Sequence, residues 1–68
     1  MRVKNPDKVH ADLVASALRV GALVGLPSIS VETVARGAGV TKGALFHHFP
    51  TKRALVEAAF DRMLEMLA

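Results

Sequence analysis

The sequence predicts an all-α fold. Three helices form a small head, the second and third joined as a helix-turn-helix, and a fourth, connecting helix starts out from it. Three observations predict this. Apolar residues recur at three and four residue intervals from Leu13 to Ala22 and again after Thr51, the period of one helix face. Ser30, Thr41 and Thr51 each stand immediately before a helix-forming run, where a hydroxyl can cap free N–H groups. Between the first two of these caps lie Gly37 and Gly39, which mark a tight reversal of the chain.

The size and make-up of the chain fit one small domain. Domains near its 68 residues bury only about 60% of their unfolded surface, so stability is marginal. Apolar residues make up 51%, which rules against disorder. With no cysteine there is neither a disulfide staple nor a thiolate metal site. That fits a reducing, cytoplasmic location and leaves helix packing as the glue. The aromatics are Phe46, Phe49 and Phe60, so the core must lean on Leu, Val and Ala. Net charge is +3, unevenly spread: residues 1–53 hold eight Lys/Arg against three Asp/Glu, and residues 54–68 hold one against three. The asymmetry favours a polyanionic partner for the first part, although a solvated charged face gives the same count.

Residues 1–6, MRVKNP, are basic and aperiodic and read as a flexible arm. Arg2 and Lys4 could touch phosphate or a minor groove; an untethered tail without a role fits equally. A secretory signal fits poorly, because Asp7, His10 and Asp12 precede the apolar run, Arg19 interrupts it and no small-x-small site follows. Arg19 and the shortness of the run also exclude a membrane span.

The first helix is expected from Asp7 to about Val24. Leu13, Val14, Ala17, Leu18, Gly21 and Ala22 line its inner side, and Val20, Leu23 and Val24 widen it. Gly21 within it costs up to ~1 kcal/mol relative to alanine. Gly25 as C-cap and Pro27 as a block end the helix. Leu26 to Ser30 is then a loop, with Ile29 plugging the core.

Ser30 caps a second helix over Val31–Gly37, which Gly37 and Gly39 stop; Gly39 supplies the positive φ of the turn. Thr41 caps the third helix. Val34, Ala35, Ala38, Val40 and Leu45 are the apolar positions, and the small Ala35 and Ala38 let two helices cross closely. The third helix gathers Lys42, Gly43, Ala44, Phe46, His47 and His48 in little more than two turns. Its N-terminal end offers N–H donors that suit a phosphate. Gly43 and Ala44 would let backbone approach a groove floor while Thr41 and Lys42 reach phosphate or base edges. On pattern alone, two short helices about a glycine turn also occur in ordinary helical bundles. Phe49, a core anchor, and Pro50 make the next corner.

Thr51 caps the last helix, which runs to the chain end. Lys52 and Arg53 sit in its first turn, where the dipole disfavours cations unless a phosphate lies near. Glu57, Asp61 and Glu65 follow one another at four-residue steps as a solvated stripe. Leu55, Val56, Ala59, Phe60, Met63, Leu64, Met66 and Leu67 form an apolar band wider than a three-helix core can cover, so the end of this helix calls for a partner.

From Leu13 onward the chain resembles the DNA-binding head of the TetR (tetracycline-repressor) family of bacterial regulators. Val31, Val34, Ala35, Ala38, Gly39, Val40, Thr41, Gly43, Leu45, His48, Phe49, Thr51, Lys52 and Leu55 carry the resemblance. It implies a homeodomain-like three-helix head over residues 7–50, with the helix-turn-helix at 31–50. Residues 51–68 then lead toward a C-terminal domain, absent from this chain, that binds a small-molecule effector and forms a homodimer. The implied function is a ligand-responsive repressor that reads a double-stranded DNA operator in the major groove, without a cofactor. The residues expected at DNA are Ser30, Thr41, Lys42, Gly43, Ala44, Phe46, His47, His48 and Lys52. Of these, Thr41, Gly43, Ala44 and His47 are placed near base edges, and His48 and Lys52 on phosphates.

Three positions depart from the family pattern. Phe46 stands where tyrosine is usual, removing one hydroxyl contact of roughly 0.5–1.5 kcal/mol. Gly21 replaces a large core aromatic, leaving space that Leu23 or Phe60 is expected to fill. Glu32 puts an acid where the family is often basic or neutral, on a surface where it would repel phosphate.

No catalytic chemistry is expected. His47 and His48 are adjacent on a helix and so point ~100° apart, unlike the i, i+4 ligands of helical zinc sites. No nucleophile has a base and orienter, and neither metal nor cofactor is predicted. Two rival readings remain. One is a small interaction module whose Met63–Leu67 face docks a partner helix; the other is a nonspecific DNA-coating protein.

Overall fold

The computed structural model describes residues 5–68. Four helices follow in order: α1 Pro6–Val24, α2 Val31–Ala38, α3 Lys42–His48 and α4 Lys52–Leu67. A single 3-10 turn, Leu26–Ser28, lies between α1 and α2 where a loop was expected. Of the arm expected over residues 1–6, residues 1–4 lie outside the described residues. Asn5 and Pro6 belong to α1 instead: the Asn5 side chain accepts from the Asp7 N–H at 2.9 Å, and proline takes the first turn, where its missing N–H removes nothing.

Side chains cap the other helices as well. Thr41 Oγ1 accepts from the Ala44 N–H and Thr51 Oγ1 from the Ala54 N–H, both at 3.0 Å, and Ser30 Oγ accepts a longer bond from Thr33 at 3.4 Å. The C-terminal ends belong to glycine. Gly25 leaves α1 at φ +87°, and Gly39 leaves α2 in the left-handed region at φ +73°. Around Gly39 the Val40 N–H reaches back to the Ala35 carbonyl at 3.0 Å and the Gly39 N–H to Arg36 at 3.1 Å, the paired bonds of a Schellman motif. Gly37 does not stop α2, contrary to expectation, but lies within it.

The core lies between α1 on one side and α2 and α4 on the other, with α3 closing it. Leu13 and Ala17 from α1, Val34 from α2, Leu45 from α3, and Leu55 and Ala59 from α4 are all inaccessible to solvent. Ile29 enters from the connection, and Phe49 caps the corner. Each large side chain so buried stabilises the fold by roughly 1.5–3 kcal/mol.

One buried polar residue, Ser16, was not anticipated. Its hydroxyl donates to the Val34 carbonyl at 2.8 Å and ties α1 to α2. Gly37 makes room for it, since a Cβ there would stand 2.5 Å from Ser16 Oγ. Among the described residues no buried side-chain polar atom lacks a partner.

Two packing expectations are corrected. Leu23 is 86% exposed and Val24 also faces solvent, so neither widens the buried side of α1. The space beside Gly21 is taken by Leu26, whose Cδ2 would lie 2.6 Å from a Cβ at that position; Leu23 and Phe60 do not fill it. The turn at Gly25 folds Leu26 back onto the helix it has just left. Phe60, Leu64, Met66 and Leu67 remain exposed, so the far end of α4 carries the uncovered apolar band expected of it. No helix among the described residues is long and apolar enough to cross a membrane.

Candidate nucleic-acid interface

The Gly39 turn sets α3 against α2 so that Leu45 points into the core while Lys42, Gly43 and His47 stay on the exposed side. This division follows from the helical period: Gly43 and His47 each lie two residues from Leu45 and so are turned ~160° away from it, while Lys42 is the first residue of the helix, where its long side chain reaches solvent. Thr41 is exposed, and its side-chain oxygen is engaged in capping α3. Ala44 is half-buried and donates its N–H to that cap. Lys52 is exposed at the start of α4.

Ser30 and Lys42, twelve positions and one helix apart in the sequence, meet at a third residue. Lys42 Nζ lies 2.7 Å from Glu32 Oε2, and Ser30 Oγ donates to Glu32 Oε1 at 3.0 Å. Both carboxylate oxygens are thus engaged. The bond from Lys42, then the Glu32 backbone N–H and the Ser30 hydroxyl, lower the Glu32 carboxyl from its ordinary 4.5 to about 2. The group is fully ionised at neutral pH. It sits in the open, so the pair is a geometric restraint more than a source of stability. Glu32 was expected as a bare phosphate-repelling acid. Its partner lay beyond sequence reasoning because the two charges are ten positions apart across a turn, outside the i, i+4 pattern.

Phe46 is half-buried against the core, with the Lys42 ammonium 6.0 Å from its ring centre, at the limit of a cation–π contact. His48 is also half-buried. Its ring meets that of His10 on α1 edge-on at 6.2 Å and that of His47 at 5.6 Å, while His10 tilts over Phe49 at 4.8 Å. His48 therefore stands at the seam between α3 and α1, with His47 exposed beside it. Of the nine residues expected at the interface, the fold leaves Ser30, Thr41, Lys42, Gly43, His47 and Lys52 exposed and Ala44, Phe46 and His48 partly covered.

Three helices with α2, a left-handed glycine turn and α3 at one edge, and a fourth helix leaving the head, define a helix-turn-helix DNA-binding domain. The chain belongs to the tetR family of bacterial regulatory proteins, whose family model matches residues 13–59. It is similar to the HTH-type transcriptional regulator CymR of Pseudomonas putida, at 40% identity over 88% of this chain and 30% of that protein. It is similar also to the transposon Tn10 TetC protein of Escherichia coli, at 33% identity over 94% of the chain and 32% of that protein. A third relative is the HTH-type transcriptional regulator BetI of Ectopseudomonas mendocina, at 33% identity over 87% of the chain and 30% of that protein. The chain spans about a third of the length of these relatives. No solved structure matches it.

Proposed function

We propose that this chain is the operator-reading head of a cytoplasmic transcriptional regulator, laying α3 in the major groove of double-stranded DNA. The observation that carries the reading is the α2–Gly39–α3 joint, which leaves Lys42, Gly43 and His47 outward on one short helix while Leu45 anchors it. Thr41, Gly43, Ala44 and His47 lie near base edges. Lys42 sets position, and His48 and Lys52 contact phosphates, with Ser30 and Phe46 at the same surface. Repression by occupying the operator, relieved by a small-molecule effector on a C-terminal domain that also forms the homodimer, completes the reading; the names of the regulators CymR and BetI support its regulatory part. The reading requires neither cofactor nor catalysis.

A second reading has one observation in its favour. Phe60, Leu64, Met66 and Leu67 are exposed along the end of α4, a surface that an interaction module would use to dock a helix.

Selection from a random duplex pool at two salt concentrations tests both readings. Enrichment of one motif identifies a specific reader, and a palindromic motif adds that two heads bind together. Salt-sensitive retention without enrichment makes the protein a DNA-coating protein. No retention at either salt, with self-association or capture of a helical peptide, makes it an interaction module.

A further inference from the structure

We infer that Glu32 is a positioning residue for Lys42, holding its ammonium off the phosphate backbone and aiming it at the N7 and O6 acceptors of a guanine in the major groove. The inference rests on the DNA-reading function proposed above and changes the role of Lys42 within it, from positioning to base readout.

The geometry is that of a restrained donor. The ammonium has three N–H groups, one of which Glu32 Oε2 takes at 2.7 Å. The carboxylate is itself fixed, because Ser30, the cap of α2, donates to its other oxygen. Lys42 is thereby referenced to the start of α2 as well as to its own helix, across the turn that sets the angle between them. A lysine alone at an exposed helix start swings freely and pairs with whichever phosphate is nearest. This one has one donor on Glu32 and two left for another acceptor.

Charge decides what those donors seek. With a full negative charge 2.7 Å away, Lys42 has little left to gain from a phosphate, and the carboxylate repels that phosphate directly. A neutral acceptor does not incur the repulsion. Among the bases, guanine alone presents two adjacent acceptors on its major-groove edge; adenine and cytosine present amino groups that oppose an ammonium. Glu32 therefore lowers affinity for DNA in general and raises the fraction of binding that depends on one G·C pair.

The test compares wild type with Glu32→Gln, Lys42→Met and the double variant in the same duplex selection and in salt titrations on the unselected pool. Glu65→Gln, far along α4, serves as a control of equal charge change. Glu32→Gln is expected to lose about tenfold of the preference for guanine at one operator position, the scale of one good base contact. Its salt slope on the unselected pool is expected to steepen by about 0.9, as one more lysine becomes free to neutralise phosphate. Lys42→Met is expected to lose the same preference, with Glu32→Gln adding nothing to it, and Glu65→Gln to keep it. If Glu32→Gln keeps the guanine preference while wild type still selects a motif, the inference fails and the DNA-reading function stands. A lowered melting temperature with the preference intact makes the pair a brace and overturns the inference likewise. If wild type selects no motif or binds no duplex, specific reading itself fails, and the inference goes with it.

Discussion

Ser16 and Gly37 compete for one small volume: the serine hydroxyl, bonded to the Val34 carbonyl at 2.8 Å, lies 2.5 Å from where a Cβ on residue 37 would stand. Alanine is normally the better helix former by about 1 kcal/mol. Here Gly37→Ala is expected to destabilise by roughly 1–3 kcal/mol, since the hydroxyl must leave its acceptor or the helices must part. Ser16→Ala alone should cost about 1 kcal/mol. The next Ser16 atom, Cβ, is 3.7 Å from the added methyl, so Gly37→Ala in the Ser16→Ala background should become neutral or stabilising. Urea unfolding of the four proteins measures the cycle; simple additivity would remove the explanation.

Gly39 sits at φ +73°, where a Cβ crowds the following carbonyl. Nothing lies within 4 Å of the position a Cβ would take, so the penalty is one of backbone conformation alone. Gly39→Ala should destabilise by roughly 1–2 kcal/mol and Gly39→Asn by less, because asparagine visits this region more readily. Equal losses for the two in thermal melts would contradict that account.

Glu32 makes stability depend on acid. Its carboxyl is depressed in the folded chain to about 2 from an ordinary 4.5. The unfolded chain therefore binds the proton more tightly, and whatever the restraint contributes is complete above 4.5 and is lost as pH falls toward 2. Melting temperatures of wild type and Glu32→Gln, followed against pH, should converge across that window, with wild type the higher above it. A constant offset at every pH would show that the carboxyl's charge is not the cause.

Lys52 is proposed as a phosphate contact. Its replacement by alanine should weaken binding to all duplexes alike and flatten the salt slope by roughly one unit, without changing the selected motif. A changed motif at an unchanged slope would move Lys52 from the backbone to the bases.

What could be read from the sequence was local. Ser30, Thr41 and Thr51 announce helix starts because a cap acts within three residues, and Gly25 and Gly39 announce ends because only the backbone there needs a positive φ. What escaped was tertiary. Gly37 was taken for punctuation like its neighbour, yet its purpose is a hole for a serine eighteen residues before Val34. Leu23 and Leu26 look equivalent in a hydropathy pattern, and the turn at Gly25 sends only the second back to the head. The α3 pattern put Lys42, Gly43 and His47 on its outer face, where the fold leaves them exposed, while the Glu32–Lys42 link needed the turn angle.

The joint between α2 and α3 is made of main-chain bonds at Gly39 and Val40 and of buried side chains at Ala35 and Leu45. Gly43 and His47, on the outer side of α3, take no part in it. Foldability and outward chemistry are thus written in separate letters of one short segment. Gly43 and His47 stand exposed beside that hinge, so in the proposed reading a lineage of such heads would drift to new addresses one letter at a time.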